Sequence, residues 1–233
     1  MDTGSNELNE LLVEFGQGPT GYREQKYLCF HCKKFYEVDE LLSDTFSECP
    51  KCKCKQLGKP VVLKEDWYAY WLIMKNKFKD KWLYHFTDKL NIKNIKQYGG
   101  LYSWDFLEKN NIDFNPGSNS RSQNTDSDKG LVDYVRLGLN DNLPMAHRAK
   151  AEGRIHNLKW LRIDPIVLLF EGTLFSDINA NSYGANYGET IEHLMNIKFD
   201  IAQSRKHEES DRPYYQAEVL VKTHIPLMLI KFL

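Results

Sequence analysis

Two short cysteine knuckles constrain the fold of this chain more than any other feature. Cys29-Phe30-His31-Cys32 and Cys49-Pro50-Lys51-Cys52 are separated by 16 residues. Two thiolates spaced by two residues reach one ion from a single tight turn, and two such turns complete the tetrahedral sulfur site that zinc favours. The spacing predicts a structural zinc on Cys29, Cys32, Cys49 and Cys52, with His31 and Cys54 standing as alternative ligands. A segment this short buries too little apolar area to fold alone, so the metal would supply its folding energy. Lys33, Lys34, Lys51, Lys53 and Lys55 surround the knuckles. They fit a nucleic-acid contact, and they fit a solvated surface.

The redox setting agrees with metal rather than disulfides. All five cysteines lie in this one segment, and the N-terminus is polar and acidic with no leader-like apolar run. No stretch approaches the roughly 20 apolar residues that a membrane span needs. A soluble, cytoplasmic protein with reduced thiols is the expectation.

At 233 residues the chain has room for the ribbon and one medium domain, and we divide it at 1–62 and 63–233. An apolar share of 42% is enough for a real core in the second part. The net charge of -1 hides a local excess, because Lys51–Lys109 holds thirteen lysines against six acids. Such a stretch attracts phosphates, and it is equally a solvated lysine face.

Within the second part, Trp67, Trp71, Met74 and Phe78 recur at helical spacing and predict a helix over Glu65–Lys79 whose stripe packs inward. Trp82–Thr87 reads as a strand and Lys89–Gln97 as a short helix ended by Gly99-Gly100. Asn115–Gly130 is Asn/Ser/Asp/Gly-rich, has no apolar side chain and reads as a mobile, lid-like loop. Leu131–Leu139, Trp160–Ile163, Ile166–Phe170, Ala217–Val221 and Leu227–Leu233 read as strands, and Met145–Glu152 as a helix. Short strands with few helices predict an α+β domain around a split, mostly antiparallel sheet.

Two residues in these strands are candidates for chemistry. Glu218 sits inside the apolar run Ala217–Val221, where an ionisable carboxylate is costly unless it is needed. Pattern alone favours the exposed alternate position of an edge strand. His85 lies in an aromatic strand, where a satisfied structural histidine is the ordinary explanation.

The order of several short motifs adds to this reading. They are Tyr84-His85-Phe86-Thr87, Gly100-Leu101-Tyr102-Ser103-Trp104, Asp133–Leu137, Leu143-Pro144-Met145 and Glu152–Ile155. Leu161–Pro165, Gly172–Asp177, Gln216–Val221 and His224–Leu227 follow. Together they resemble the DarT family of DNA ADP-ribosyltransferases from about Trp82 to the C-terminus, with the ribbon outside the resemblance. The fold this implies is ADP-ribosyltransferase-like. The implied activity is transfer of ADP-ribose from NAD to a base in single-stranded DNA, with RNA as the competing acceptor.

The resemblance makes Glu218 the catalytic carboxylate. His85 and Thr87 would contact the cofactor's ribose, and Tyr102 and Tyr134 would line the nicotinamide pocket. In many relatives a proline–arginine pair precedes the Pro-Met step, but here Asp141 and Asn142 stand there. Arg154, Arg136 or Arg148 would then supply the cation, although Arg154 also suits a surface pair with Glu152. Pro144–His147 and Gly153–Ile155 resemble the guanine-modifying branch more than the thymine-modifying one. Arg205, Lys206, Arg212, Tyr214 and Tyr215, just before the catalytic strand, combine phosphate-binding cations with stacking rings and would hold an unpaired strand. The family context implies a toxin with an antitoxin partner such as a macrodomain hydrolase, acting against phage or host. The rival readings are a protein acceptor and a non-catalytic binder in which the ribbon reads nucleic acid.

Overall fold

The structure is a computed structural model that describes residues 27–28, 35–36, 62–78 and 81–233. Ahead of the main body, β1 (Tyr27–Leu28) pairs antiparallel with β2 (Phe35–Tyr36). Both cysteine knuckles lie outside the described residues.

The body begins with α1 (Trp67–Lys77). Its inward residues are Tyr70, Leu72 and Ile73, whereas Trp67, Trp71 and Met74 lie half-buried at the rim. The expected stripe does pack inward, with Phe78 buried in the core against Phe199 and the other three members resting on its edge. The two indole rings cover the edge of the core, while Tyr70, Leu72, Ile73 and Phe78 enter it. Tyr70 stacks on Phe175 at 5.7 Å and donates from its hydroxyl to the Glu189 carbonyl at 2.7 Å.

Beyond α1 the chain runs through β3 (Leu83–Asp88), α2 (Asn91–Gln97), β4 (Gly100–Tyr102), α3 (Trp104–Lys109) and α4 (Ser120–Asp128). Then follow β5 (Tyr134–Gly138), α5 (Pro144–Ala151), β6 (Leu158–Ile163), β7 (Leu174–Ser176) and β8 (Tyr187–Gly188). The last part holds α6 (Ile191–Met195), α7 (Phe199–Ala202), α8 (Arg212–Tyr215), β9 (Glu218–Lys222), β10 (His224–Pro226) and β11 (Ile230–Phe232). A seven-stranded antiparallel sheet has the order β11-β6-β3-β5-β9-β7-β8, and β10 pairs separately with β4.

Two sequence expectations change here. Ile166–Phe170 is not a strand but lies mostly in a 3-10 helix, Pro165–Leu169, fully covered by the core. Pro165 starts it, and the Asp164 carboxylate accepts from the Ile166 amide at 3.0 Å. A short, wholly buried apolar run has no periodicity to separate the two conformations. The polar stretch Asn115–Gly130 is not a loop throughout, because α4 occupies its second half. Asn119 caps that helix by accepting from the Ser122 amide at 2.9 Å. Asp126 is its one buried residue. Charge rather than an apolar stripe docks this helix.

The sheet is split where the site forms. β3 and β5 share a single register pair, Tyr84 with Gly138, whereas β3 pairs with β6 along six residues. Val135, Leu137, Val219 and Val221 alternate into the main core, each worth about 1.5–3 kcal/mol relative to exposure. Glu218 and Leu220 therefore face the other side, and Leu220 packs there with Leu131 and Ala180. After β9 the chain turns sharply at Thr223, a β-branched residue at φ +59°. Asp133 pins the corner. It accepts from Thr223 Oγ1 at 2.6 Å and Ser103 Oγ at 3.0 Å, and its carbonyl takes the Thr223 amide.

Candidate active site

A cavity opens beside the split and is lined by β3, β4, β5, the segment 113–118, α4, the 179–181 loop and the start of β9. β9 lies between β5 and β7, so Glu218 is in a central strand and not at an edge. Its side chain is 14% exposed. Arg136 Nη1 donates to Glu218 Oε2 at 2.7 Å, the Ala180 amide to the same oxygen at 2.9 Å, and Asn179 Nδ2 to Oε1 at 3.1 Å. Burial pushes the Glu218 carboxyl above its ordinary range, while Arg136 and the Ala180 amide oppose that shift. Three donors thus fix the orientation of the carboxyl group, and burial raises its affinity for a proton.

Arg136 is the hub. Its Nη2 donates to Asp126 Oδ1 at 2.5 Å and Asn181 Oδ1 at 2.7 Å, while Nη1 addresses Glu218. Asp126 is 4% exposed. One cation therefore spans two carboxylates brought from α4 and β9, a layout that local sequence does not announce. Asp126, Asn179 and Asn181 are the site residues that sequence reading missed. The signal for Asp126 was present as a capping asparagine seven residues upstream, which marks the polar stretch as helical.

His85 sits where β3 and β5 stop pairing. Its Nδ1 lies 3.0 Å from the Arg136 carbonyl, which can only accept, so Nδ1 carries the proton and Nε2 is the free acceptor of the neutral ring. Burial lowers its pKa, partly offset by that carbonyl. Thr87 lines the cavity, but its hydroxyl accepts from Asn91 Nδ2 at 3.0 Å. Asn91 also donates to the Asn115 carbonyl and accepts from the Asn115 amide, tying the 113–118 segment to α2. Tyr102 lies between Phe106 and His224 at centroid distances of 4.5 and 4.2 Å. Tyr102 and Tyr134 both line the cavity, and burial raises both phenols.

The other arginines are elsewhere. Arg154 pairs with Glu152 at 2.9 Å beyond the end of α5, and Arg148 is exposed on that helix. Neither lines the cavity. Of the three candidates, Arg136 alone meets Glu218 among the described residues. Arg205 and Lys206 are exposed, and Arg212 pairs with Glu209 at 2.9 Å. Lys198 Nζ sits 3.4 Å from the Tyr214 ring centroid. Tyr215 is 1% exposed and stacks on His207 at 4.1 Å, so its ring supports the loop from below rather than offering a face to a base.

Comparison with known proteins places this fold. The fold is similar to Thermus sp. 2.9 DarT in complex with ADP-ribosylated ssDNA, with a TM-score of 0.55 and 19% identity over 66% of this chain and 80% of that one. It is also similar to Thermosipho africanus DarTG in complex with ADP-ribose, with a TM-score of 0.52 and 18% identity over 65% of this chain and 43% of that one. No curated protein matches by sequence. Residues 84–232 match the family described as ssDNA thymidine ADP-ribosyltransferase, DarT, which is more than half the chain. The chain belongs to the DarT family and is an ADP-ribosyltransferase.

Proposed function

We propose that the chain transfers ADP-ribose from NAD to a base nitrogen of single-stranded DNA, with Glu218 as the catalytic carboxylate. The observation that carries this is the rigid Glu218–Arg136 pair at the wall of the cavity, beside the neutral His85. In the reaction the nicotinamide–ribose bond breaks and nicotinamide leaves with the electron pair. The ribose C1′ gains positive character, and a new bond forms to the base nitrogen, whose proton goes to Glu218. A fixed carboxylate beside a charge-developing carbon stabilises that transition state with little reorganisation. His85 offers Nε2 to a ribose hydroxyl. Thr87, Tyr102 and Tyr134 complete the cofactor-facing wall, and Arg136 is the cation of the site. Arg205, Lys206, Arg212 and Tyr214 supply the surface for an unpaired strand, since a paired base would first need to be flipped out.

Three finer readings go with this. Residues 1–62 form a zinc ribbon on Cys29, Cys32, Cys49 and Cys52, and the antiparallel β1–β2 pair flanking the first knuckle supports it. One zinc per chain by elemental analysis, lost in Cys29→Ser, is the expected result. The chain acts as a toxin neutralised by an ADP-ribose-removing partner, a reading supported by its likeness to part of a DarTG. The family description names thymidine, whereas the Pro144–His147 and Gly153–Ile155 steps resemble the guanine branch.

The test is intact mass of single-stranded DNA and RNA oligonucleotides, each with one T or one G, incubated with isotopically labelled NAD and protein or Glu218→Ala. A gain of one ADP-ribose on DNA, absent in the variant, is expected. Gain on RNA alone would move the acceptor, and NAD left intact with every polymer would sink the reading.

A further inference from the structure

Helix α4 is too polar to be held by a hydrophobic face. None of its residues except Asp126 is buried, and none of Ser120–Asp128 is apolar. Yet it reaches the site through two charged side chains one turn apart. Asp126 takes Arg136 Nη2, and the same nitrogen donates to Asn181 Oδ1, so Nη1 is left to Glu218. Lys129, at the C-terminal end of the helix, donates to the Ala180 carbonyl at 2.6 Å and the Ser182 carbonyl at 3.1 Å. Ala180 is the residue whose amide donates to Glu218 Oε2. A third tie, Asn181 Nδ2 to the Ser122 carbonyl at 3.3 Å, closes the helix onto the same loop.

We propose that Asp126 and Lys129 are positioning residues for Glu218. Asp126 fixes the guanidinium that faces the carboxylate, and Lys129 fixes the residue whose amide donates to it. This rests on the reading of Glu218 as the catalytic carboxylate. The physical reason lies in how a guanidinium binds. Its planar fork pairs with one carboxylate through two nitrogens when nothing else competes. If Asp126 and Asn181 did not occupy Nη2, Arg136 would be free to turn both Nη groups onto Glu218. That would take up the lone pairs that a ribose hydroxyl or a base proton needs. Lys129 acts at the other side of the same oxygen. Without it the 179–182 loop keeps only the longer Asn181–Ser122 bond to α4, and Ala180 drifts from Oε2. The burial of Asp126 makes sense on these terms, since a buried carboxylate is costly unless its cation must be held in place.

The test measures kcat and KM for NAD in transfer to a single-stranded DNA oligonucleotide, on the full chain. Asp126→Asn keeps the shape and removes the charge, and Lys129→Met keeps the length and removes the ammonium. Asp128→Asn, on the exposed side of the same helix, is the control for a lost acidic charge. Expected are kcat losses of about tenfold for both site variants with KM for NAD changed by less than about twofold, because geometry at the reacting atom is disturbed and binding is not. Lys129→Arg should recover most of the loss, and Asp128→Asn should match the wild type. In an Arg136→Gln background, Asp126→Asn should add less than about a twofold loss, since it acts through the arginine that is gone. Should Asp126→Asn fail to fold, the Lys129 pair decides alone. Wild-type kcat in either site variant, an equal loss in Asp128→Asn, or full additivity with Arg136→Gln would each overturn the proposal while the enzyme reading stands. A wild type that transfers nothing would overturn both.

Discussion

Replacing Arg136 with methionine removes the cation between two carboxylates while keeping most of the side chain's length. Asp126 and Glu218 are 4% and 14% exposed, so water cannot restore their lost partner. Stripping one side from a buried ion pair costs about 3–5 kcal/mol. Glu218 softens the loss, since it keeps the Ala180 amide and the Asn179 side chain, and its raised carboxyl readily takes a proton. The lower end, about 3 kcal/mol, is therefore expected, a fall in Tm of about 6–12 °C for a chain of this size. Most of that penalty belongs to stranded Asp126, so Arg136→Met with Asp126→Asn should recover roughly half of it. Urea unfolding of the two single variants and the double variant, followed by tryptophan fluorescence, measures all three. The reasoning fails if Arg136→Met loses less than about 1 kcal/mol, well short of a broken buried pair. It fails equally if the double variant is less stable than Arg136→Met alone.

Three further outcomes follow from the same geometry. Glu218→Gln should abolish transfer without lowering Tm. Burial raises this carboxyl, so its contribution to stability is present below the ordinary carboxylate range and is lost as pH rises through the folded value; at neutral pH the charge is a burden. A thermal melt several degrees below wild type would contradict this. NAD affinity, read by titration calorimetry, should be flat from neutral pH down to the ordinary histidine range and weaken only below it. His85 is held neutral by burial, and its depressed value means that protonation, with loss of the Nε2 acceptor and of stability, comes only as pH falls further. A midpoint at or above about 6.5 would contradict that assignment. Gly100→Ala should disrupt the β4–β10 pair and cost more than about 2 kcal/mol in chemical denaturation, because overpacking against fixed backbone cannot relax. An added Cβ there would meet the Ile225 carbonyl at 2.3 Å and His224 Nε2 at 2.4 Å. A near-neutral variant would show that this corner yields.

Sequence alone determined whatever depends on local pattern. The strands around Tyr84–Thr87 and Ala217–Val221 and the helix over Met145–Glu152 were legible from local apolar and aromatic content, whereas Glu218 was singled out by the family resemblance, since its pattern alone fitted an exposed edge position. Pattern could not say whether Glu218 sat at an edge or in the middle of a sheet, since that depends on β5 and β7, distant in sequence, flanking β9. Nor could it choose among Arg154, Arg136 and Arg148. Nothing local distinguishes the three, and only strand register sets Arg136 diagonally across from Glu218. The largest reversal concerned Ser120–Asp128, whose polarity read as a loop. Its helix is stabilised by an ion pair to a strand ten residues away and by a lysine contact to a loop some fifty residues away. Hydrophobic pattern records which side chains leave water, and it is silent about charges that are buried only because the fold brings their partners to them.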